Sequence, residues 1–465
     1  MNEKTAQFSL RGLFQPRDLT EGTPWKTILA FALPIIISYL LQQVYTISDA
    51  AIVGQTLTAG EVAGVNDTTS IIFIFLQFAF GVSAGFCVVT AAEMGAHHEA
   101  GVRRSLAAQI LLSAALTVLL TGLALLLLKP MLAWINVTPE SPEVYRAAHT
   151  YCAIIFAGIG AQLFYNFICS FLRSMGDSVT PLLFLLLSTI LNIGLDLLFI
   201  VSFHWGVAGA AIATVLSQTV SAVWILRFLT GRRTILRLKA RNMPLQGKII
   251  LPCLALGISS FVMVSTESIL SVSFTSSLSR YGGDVAVGAM TVLTSVNQLI
   301  TMPLQGICQG GQPLISYNYG AKKLERVKEA FFRQFLVCVG YTTVFWLLVM
   351  AFPKVFAGIF TSDGALVDYT AWAIRIFLAG TFSVGFQVSC QLAFMALGQA
   401  KISLIMACLR KLILLIPLIF ILPNFFADKA FAVFLAEPVS DILAAAVTTI
   451  TFFTFFRRLL KAGKQ

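Results

Sequence analysis

The sequence predicts an all-α polytopic membrane protein of twelve transmembrane helices, built as two parallel six-helix repeats. Three observations predict it. Of 465 residues, 57% are hydrophobic and 11% charged, whereas a soluble globular chain carries about 25% charged residues. The apolar residues gather in twelve stretches, each of a length to meet the roughly 20 residues that one hydrocarbon crossing needs. Short motifs of the first half return in the second at nearly constant offsets.

In a bilayer every backbone N–H and C=O must be satisfied within the segment, so apolar stretches of this length become helices. The spans are expected near 26–53, 66–91, 105–130, 145–171, 181–203, 206–228, 249–279, 285–316, 329–351, 369–396, 402–424 and 430–456. The first 24 residues are polar, with Pro16, Arg17 and Asp18, and the first span is too long for a cleaved signal core.

Net charge is +11, which raises the question of nucleic acid. The distribution answers it. With both termini and the even-numbered connections cytoplasmic, that side holds 24 of the 32 basic residues, including the run from Arg227 to Lys248 and the tail residues Arg457, Arg458, Lys461 and Lys464. The other side holds Lys129, Arg146, Arg280, Lys354, Arg375 and Lys429. This is the positive-inside bias of a membrane protein, and no nucleic-acid partner is needed to explain it. The eight cysteines lie in or beside apolar spans without a CxxC pair, and read as small buried hydrophobes.

The expected organisation is a cytoplasmic tail (1–24), an N-lobe with helices 1–6 (25–228), a basic cytoplasmic linker (229–248), a C-lobe with helices 7–12 (249–456) and a cytoplasmic tail (457–465). Gly81, Gly85, Gly95 and Val102 match Gly306, Gly310, Gly320 and Val327 at an offset of 225. Pro34 and Asp49 match Pro252 and Glu267 at 218, and Gly176 matches Gly398 at 222. Six spans is an even number, so both halves enter the membrane in the same sense, an arrangement suited to alternating access.

No GxxxxGK[ST], HExxH or GxSxG occurs, and the four histidines form no ligand cluster. Neither an enzyme nor a bound cofactor is expected. What remains are acids inside apolar spans, each costing roughly 2.5–3.5 kcal/mol on insertion scales and functional by default. Asp196 is the best placed. Asn192 precedes it by one turn and shares its face. The next span, GVAGAAIATVLSQTV, returns after a short turn and brings Thr214 to within ~3 Å of the same depth at 1.5 Å per residue, while its glycines and alanines permit close helix approach. Asp49, in YTISDAAIVGQ, lies toward the outer end of the first span. Two carboxylates, an amide and a hydroxyl would suit Na⁺ or a proton, since two neighbouring acids in low dielectric cannot both stay ionised cheaply. The competing reading is a hydrogen-bonded helix bridge.

The second half differs. Leu414 and Leu418 stand where Asn192 and Asp196 stand in the first, and Arg410 and Lys411 lie inside the eleventh span. Glu267 has two readings: a structural pair with Arg410, or a site for which a cationic substrate competes. Pro34, inside the first span, removes a helical hydrogen bond and marks a bend, either static or a hinge.

The segments TISDAAIVGQ, LRSMGDSVTPL, NIGLDLLFI, GVAGAAIATVLSQ, GICQGGQPLISYNYGAKK and EPVSDIL make the chain resemble the multidrug and toxic compound extrusion (MATE) transporters over nearly its whole length. The resemblance implies two six-helix lobes in a V-shaped bundle. It also implies export driven by a Na⁺ or H⁺ gradient, and a cation site at Asp49, Asn192, Asp196 and Thr214 with the Ala210 carbonyl. It places the bend of the first helix at Pro34. Glu267 matches an acid of one sodium-coupled branch, but GTFSVGFQVSCQ lacks that branch's second acid, so coupling is expected in the amino-terminal lobe.

The expected function is a secondary antiporter, acting as a monomer in a bacterial cytoplasmic membrane, that exports organic, cationic and amphipathic compounds. A lipid-linked saccharide flippase is the nearest alternative, with twelve spans and two intramembrane cations against it. An intramembrane enzyme is the remote one.

Overall fold

The computed structural model describes residue 19 and residues 23–135, 137–230, 247–361 and 363–462. Most of the expected amino-terminal tail, most of the basic linker and the last residues of the carboxy-terminal tail lie outside them. Among the described residues all regular structure is helical.

The first half comprises α1 (Pro24–Thr56), α2 (Ala59–Gly95), α3 (Glu99–Leu126), α4 (Leu128–Trp134), α5 (Pro142–Ala157), α6 (Ile159–Ser174), α7 (Val179–Asp196) and α8 (Gly206–Thr230). The second comprises α9 (Gly247–Gly320), α10 (Leu324–Ala351), α11 (Pro353–Gly358), α12 (Gly364–Phe377), α13 (Thr381–Ala396), α14 (Ala400–Cys408), α15 (Ile416–Ile421) and α16 (Lys429–Ala462). Local chemistry sets several ends. Thr58 and Glu61 form a capping box that starts α2. Asp363 accepts from the Ala365 N–H to start α12. Asp177 accepts from the backbone N–H groups of Val179 and Thr180 at 3.1 and 2.9 Å, which fixes the entry to α7.

Nine helices of the described residues are long and apolar enough to cross a membrane. The pairs α5–α6 and α12–α13 are bent by 45° and 51° and each make one further span. The 74-residue α9 is two helices meeting at Gly283, whose φ of 65° and ψ of −163° are not helical. The expected twelve spans result. Two of them differ from plain helices in a way hydropathy does not register: the fourth and tenth bend at Gly158 and just before Thr381, where a Cβ on Gly158 would meet Val215 at 2.4 Å and one on Gly380 would meet the Pro438 Cα at 2.8 Å. The fifth and eleventh carry π-helical turns, at Leu197–Ser202 and Leu409–Leu415.

The repeat is visible in the backbone itself. His97 (φ 52°) and Lys322 (φ 56°) are left-handed residues at the offset of 225, and Gly176 (φ 89°) and Gly398 (φ 73°) at 222. The bend glycines Gly158 and Gly380 also share the offset of 222. The two short helices α4 and α11 begin 225 residues apart.

The chain forms two compact units, Met1–Leu19 with Ile37–Ile258, and Thr20–Ile36 with Ser259–Gln465. The continuous α1 thus gives its first part to the second unit and the remainder to the first, the change falling two residues after Pro34. Within the second unit, Gly306 and Gly310 of α9 lie against α1: a Cβ on Gly310 would stand 2.7 Å from the Ala32 backbone nitrogen. The first unit is filled by residues such as Phe86, Leu163 and Phe167, and by Leu132, Cys152 and Phe156. The second is filled by Phe274, Leu293, Phe377 and Phe434, and by tilted and edge-to-face rings around Phe331 and Phe452. Cys87, Cys152, Cys169, Cys308, Cys338 and Cys390 are buried free thiols, and Cys408 is a half-buried one.

Candidate ion-coupling site

The site is assembled in the first unit from α1, α5, α7 and α8. Asn192 and Asp196 occupy the last turns of α7, and both are fully buried. The α-helix ends at Asp196 and the chain continues as the π-helical turn Leu197–Ser202, a form of winding frequent at functional positions. The small residues of α8 let it close on this turn. Ala210, Ala211 and Ala213 are fully buried, and a Cβ on Gly209 would meet Phe199 backbone and side-chain atoms at 3.2 Å. Ala210 packs with Val53, Ile200 and Tyr151, beside the acids.

Asp49 comes from α1. Its carboxyl group lies close enough to that of Asp196 for each to act on the other. Both oxygens of Asp196, Oδ1 of Asp49 and both polar atoms of the Asn192 amide are sealed from solvent and lack a hydrogen-bond partner. Two bare carboxylates have acceptors only, so a bond between them needs a shared proton or a bridging cation. Tyr45, one turn before Asp49, donates from its hydroxyl to Thr214 Oγ1 at 3.2 Å. Tyr45 and Tyr151 both lie close enough to feel the charges of Asp49 and Asp196. The expected set of Asp49, Asn192, Asp196, Thr214 and Ala210 is therefore brought into one region. Thr214 enters it through Tyr45.

Oxygen is in excess here and donors are short, which fits a proton or a hard monovalent cation. Among the described residues no three His, Cys, Asp or Glu side chains are placed to hold a metal ion, so any Na⁺ would draw on amide, hydroxyl and carbonyl oxygens beside the two acids. Pro34 lies inside α1, which stays helical through it.

The charged residues of the second half pair differently from the expected Glu267–Arg410 contact. Glu267 accepts from Lys411, and its side chain is 57% exposed. Arg410 turns to α16, where its Nε lies 2.7 Å from Asp441 Oδ1 and its guanidinium 3.3 Å from Glu437 Oε1. The reason is reach: Arg410 and Lys411 are consecutive on a π-helical turn and so project in different directions. Sequence reasoning passed over Tyr45, Tyr151, Glu437 and Asp441. The tyrosines carry no signal among many aromatics. Glu437 and Asp441, however, are acids inside an apolar span, and the rule that singled out Asp196 applies to them equally.

The MatE family model matches residues 34–198 and 259–421, one copy in each half. The chain is 29% identical over 318 residues to the probable multidrug resistance protein YpnP of Bacillus subtilis, covering 67% of this chain and 68% of that one. It is 21% identical over 436 residues to the multidrug export protein MepA of Staphylococcus saprophyticus, covering 92% and 94%. A crystal structure of MATE in the bent conformation superposes with a TM-score of 0.90 at 22% identity, over 96% of this chain and 98% of that one. This last likeness concerns the fold.

Proposed function

Because the chain belongs to the MatE family of membrane transporters, we propose that it is a secondary active antiporter exporting organic, cationic and amphipathic compounds in exchange for H⁺ or Na⁺. The observation that carries this reading is the Asp49–Asp196 pair: a half-buried and a fully buried acid close together, with three of their four oxygens sealed from solvent and lacking a hydrogen-bond partner. A site of that kind changes charge when one monovalent cation binds, which is what coupling to a gradient requires. In the cycle, H⁺ or Na⁺ entering from outside neutralises the pair, the substrate leaves, and the neutral site permits the return step. Asn192 and the Tyr45–Thr214 pair supply further oxygens to the ion.

Export of drug-like compounds is supported by the relatives, which are described as multidrug resistance and multidrug export proteins. That wording favours a drug exporter over a lipid-linked saccharide flippase. The basic bias of one set of connections supports a bacterial cytoplasmic membrane with both termini inside, and a single chain is a complete working unit in this scheme.

The test is efflux of a fluorescent lipophilic cation from cells stripped of their main pumps, for wild type and for Asp196→Asn shown to be folded and in the membrane. Each is run with and without Na⁺ and with a protonophore. Loss of efflux in the variant and under removal of one gradient supports the reading and names the ion. Normal efflux by Asp196→Asn would sink it.

A further inference from the structure

We propose that Glu437 is a proton-binding site of the second unit, its Oε2 atom carrying the proton while Arg410 holds the rest of the carboxyl group. The inference goes beyond the Asp49–Asp196 reading and does not rest on it, since it uses the second unit alone.

Five charged side chains from three elements meet here: Glu267 of α9, Arg410 and Lys411 of the π-helical turn, and Glu437 and Asp441 of α16. Lys411 is engaged by Glu267. One guanidinium is left for two carboxyl groups, and it is committed unequally. Two of its nitrogens stand 2.7 Å from Asp441 Oδ1, while Glu437 Oε1 is 3.3 Å away. Glu437 is only 6% exposed, and its Oε2 is sealed from solvent with no hydrogen-bond partner. A buried ion survives only when further hydrogen bonds satisfy its free lone pairs, and here they are missing. A proton on Oε2 removes the deficit and leaves Arg410 and Asp441 as a balanced pair.

The geometry also says why the ligand is a proton. Oε2 is sealed from solvent, so neither an organic cation nor a hydrated ion can reach it without unpacking α16. No three acidic, histidine or cysteine side chains of the described residues are placed to hold a metal. The surroundings are tight. Ser440 Oγ donates to the Arg410 carbonyl at 2.8 Å, tying the π-helical turn to α16, and a Cβ on Gly380 would meet Pro438 Cα at 2.8 Å. At the repeat offset of 222 Glu437 corresponds to Val215, the neighbour of Thr214. The charged groups acting on Glu437 are Asp441, Arg410, Glu267 and Lys411. The other helices packed on α16 bring Asp368, Tyr369 and Arg375 from α12, Cys390 from α13, and Lys401 and Cys408 from α14. Of these, Asp368 pairs with Lys354 and Cys390 meets Thr449.

Infrared spectroscopy of the full chain in lipid nanodiscs, titrated with pH, tests the assignment. A protonated-carboxyl band is expected that moves when glutamate, but not aspartate, carries a ¹³C carboxyl label. It should be lost in Glu437→Gln and kept in Glu267→Gln and Asp49→Asn. Should Glu437→Gln not fold, the labelled wild type and Glu267→Gln still decide, because the remaining described glutamates are outside the buried cluster. A glutamate-labelled band that survives Glu437→Gln, or the absence of any band answering to the glutamate label at every pH where the protein stays folded, overturns the proposal; a separate aspartate-labelled band belongs to the Asp49–Asp196 pair. Retention of the band in an Asp49→Asn protein that no longer exports separates this result from the fate of the antiport reading.

Discussion

Asp49 and Asp196 come close together in the first unit from α1 and from the end of α7, and Asp49 Oδ1 and both oxygens of Asp196 are sealed from solvent without a hydrogen-bond partner. Groups that bind one cation together act as one site. Asp49→Asn and Asp196→Asn are each expected to lower ion-driven export by about 10- to 100-fold, the range of ordinary coupling energies. The double variant should lose no more than the worse single one, because contacting residues of one site are not additive. Efflux rates of the three variants at equal membrane abundance check this. A double variant that multiplies the two losses would show two independent sites.

Tyr45 links the acids to α8 through its 3.2 Å bond to Thr214. Tyr45→Phe keeps the ring and removes the donor, so it should cost about 1 kcal/mol, the net worth of one such bond. The expected outcome is export reduced by about 2- to 10-fold with the protein still folded, far milder than Asp196→Asn. Thr214→Val should match it, since either change removes the same bond. Parallel efflux curves for the two variants against the driving gradient provide the comparison.

Much of this was legible in the sequence, and the reasons are physical. A span must be long and apolar, so twelve stretches declared themselves. A left-handed residue after a helix needs its own place in the chain, so the pairs His97–Lys322 and Gly176–Gly398 sit at the offsets the motifs gave. Asn192 and Asp196 stood out because an acid in an apolar run has a cost. Hydropathy does not register winding, however, and the bends at Gly158 and Gly380 and the π-helical turns were invisible to it. The direction of Arg410 followed the turn it sits on, which is why it faces Glu437 and Asp441 and leaves Glu267 to Lys411.

Two glycines of the second unit should respond oppositely to the same substitution. A Cβ at Gly310 would lie 2.7 Å from the nitrogen and 2.9 Å from the Cα of Ala32, both backbone atoms. Relief requires α1 to move, so Gly310→Ala is expected to destabilise by about 1–3 kcal/mol. Gly340 of α10 has nothing within 4 Å, and alanine there should stabilise by roughly 0.5–1 kcal/mol through helix propensity. Thermal unfolding in one detergent reads both shifts. A midpoint for Gly310→Ala at or above wild type would remove the close packing of α1 on α9.

The two cations of the eleventh span should also differ in what they hold up. Arg410 is buried against two buried carboxyl groups, and removing one partner of such a pair leaves uncompensated charge. Arg410→Met should therefore cost about 3–5 kcal/mol. Lys411 faces a carboxylate that is 57% exposed and so is less enclosed than the partners of Arg410, and Lys411→Met should cost less than Arg410→Met. The cause can be isolated by restoring balance. With Arg410→Met already present, Asp441→Asn removes the carboxylate that the guanidinium gripped most closely, and should recover part of the lost stability. Unfolding midpoints for the two singles and the double measure this, and a double no more stable than Arg410→Met would mean that Arg410 acts through packing and not through charge.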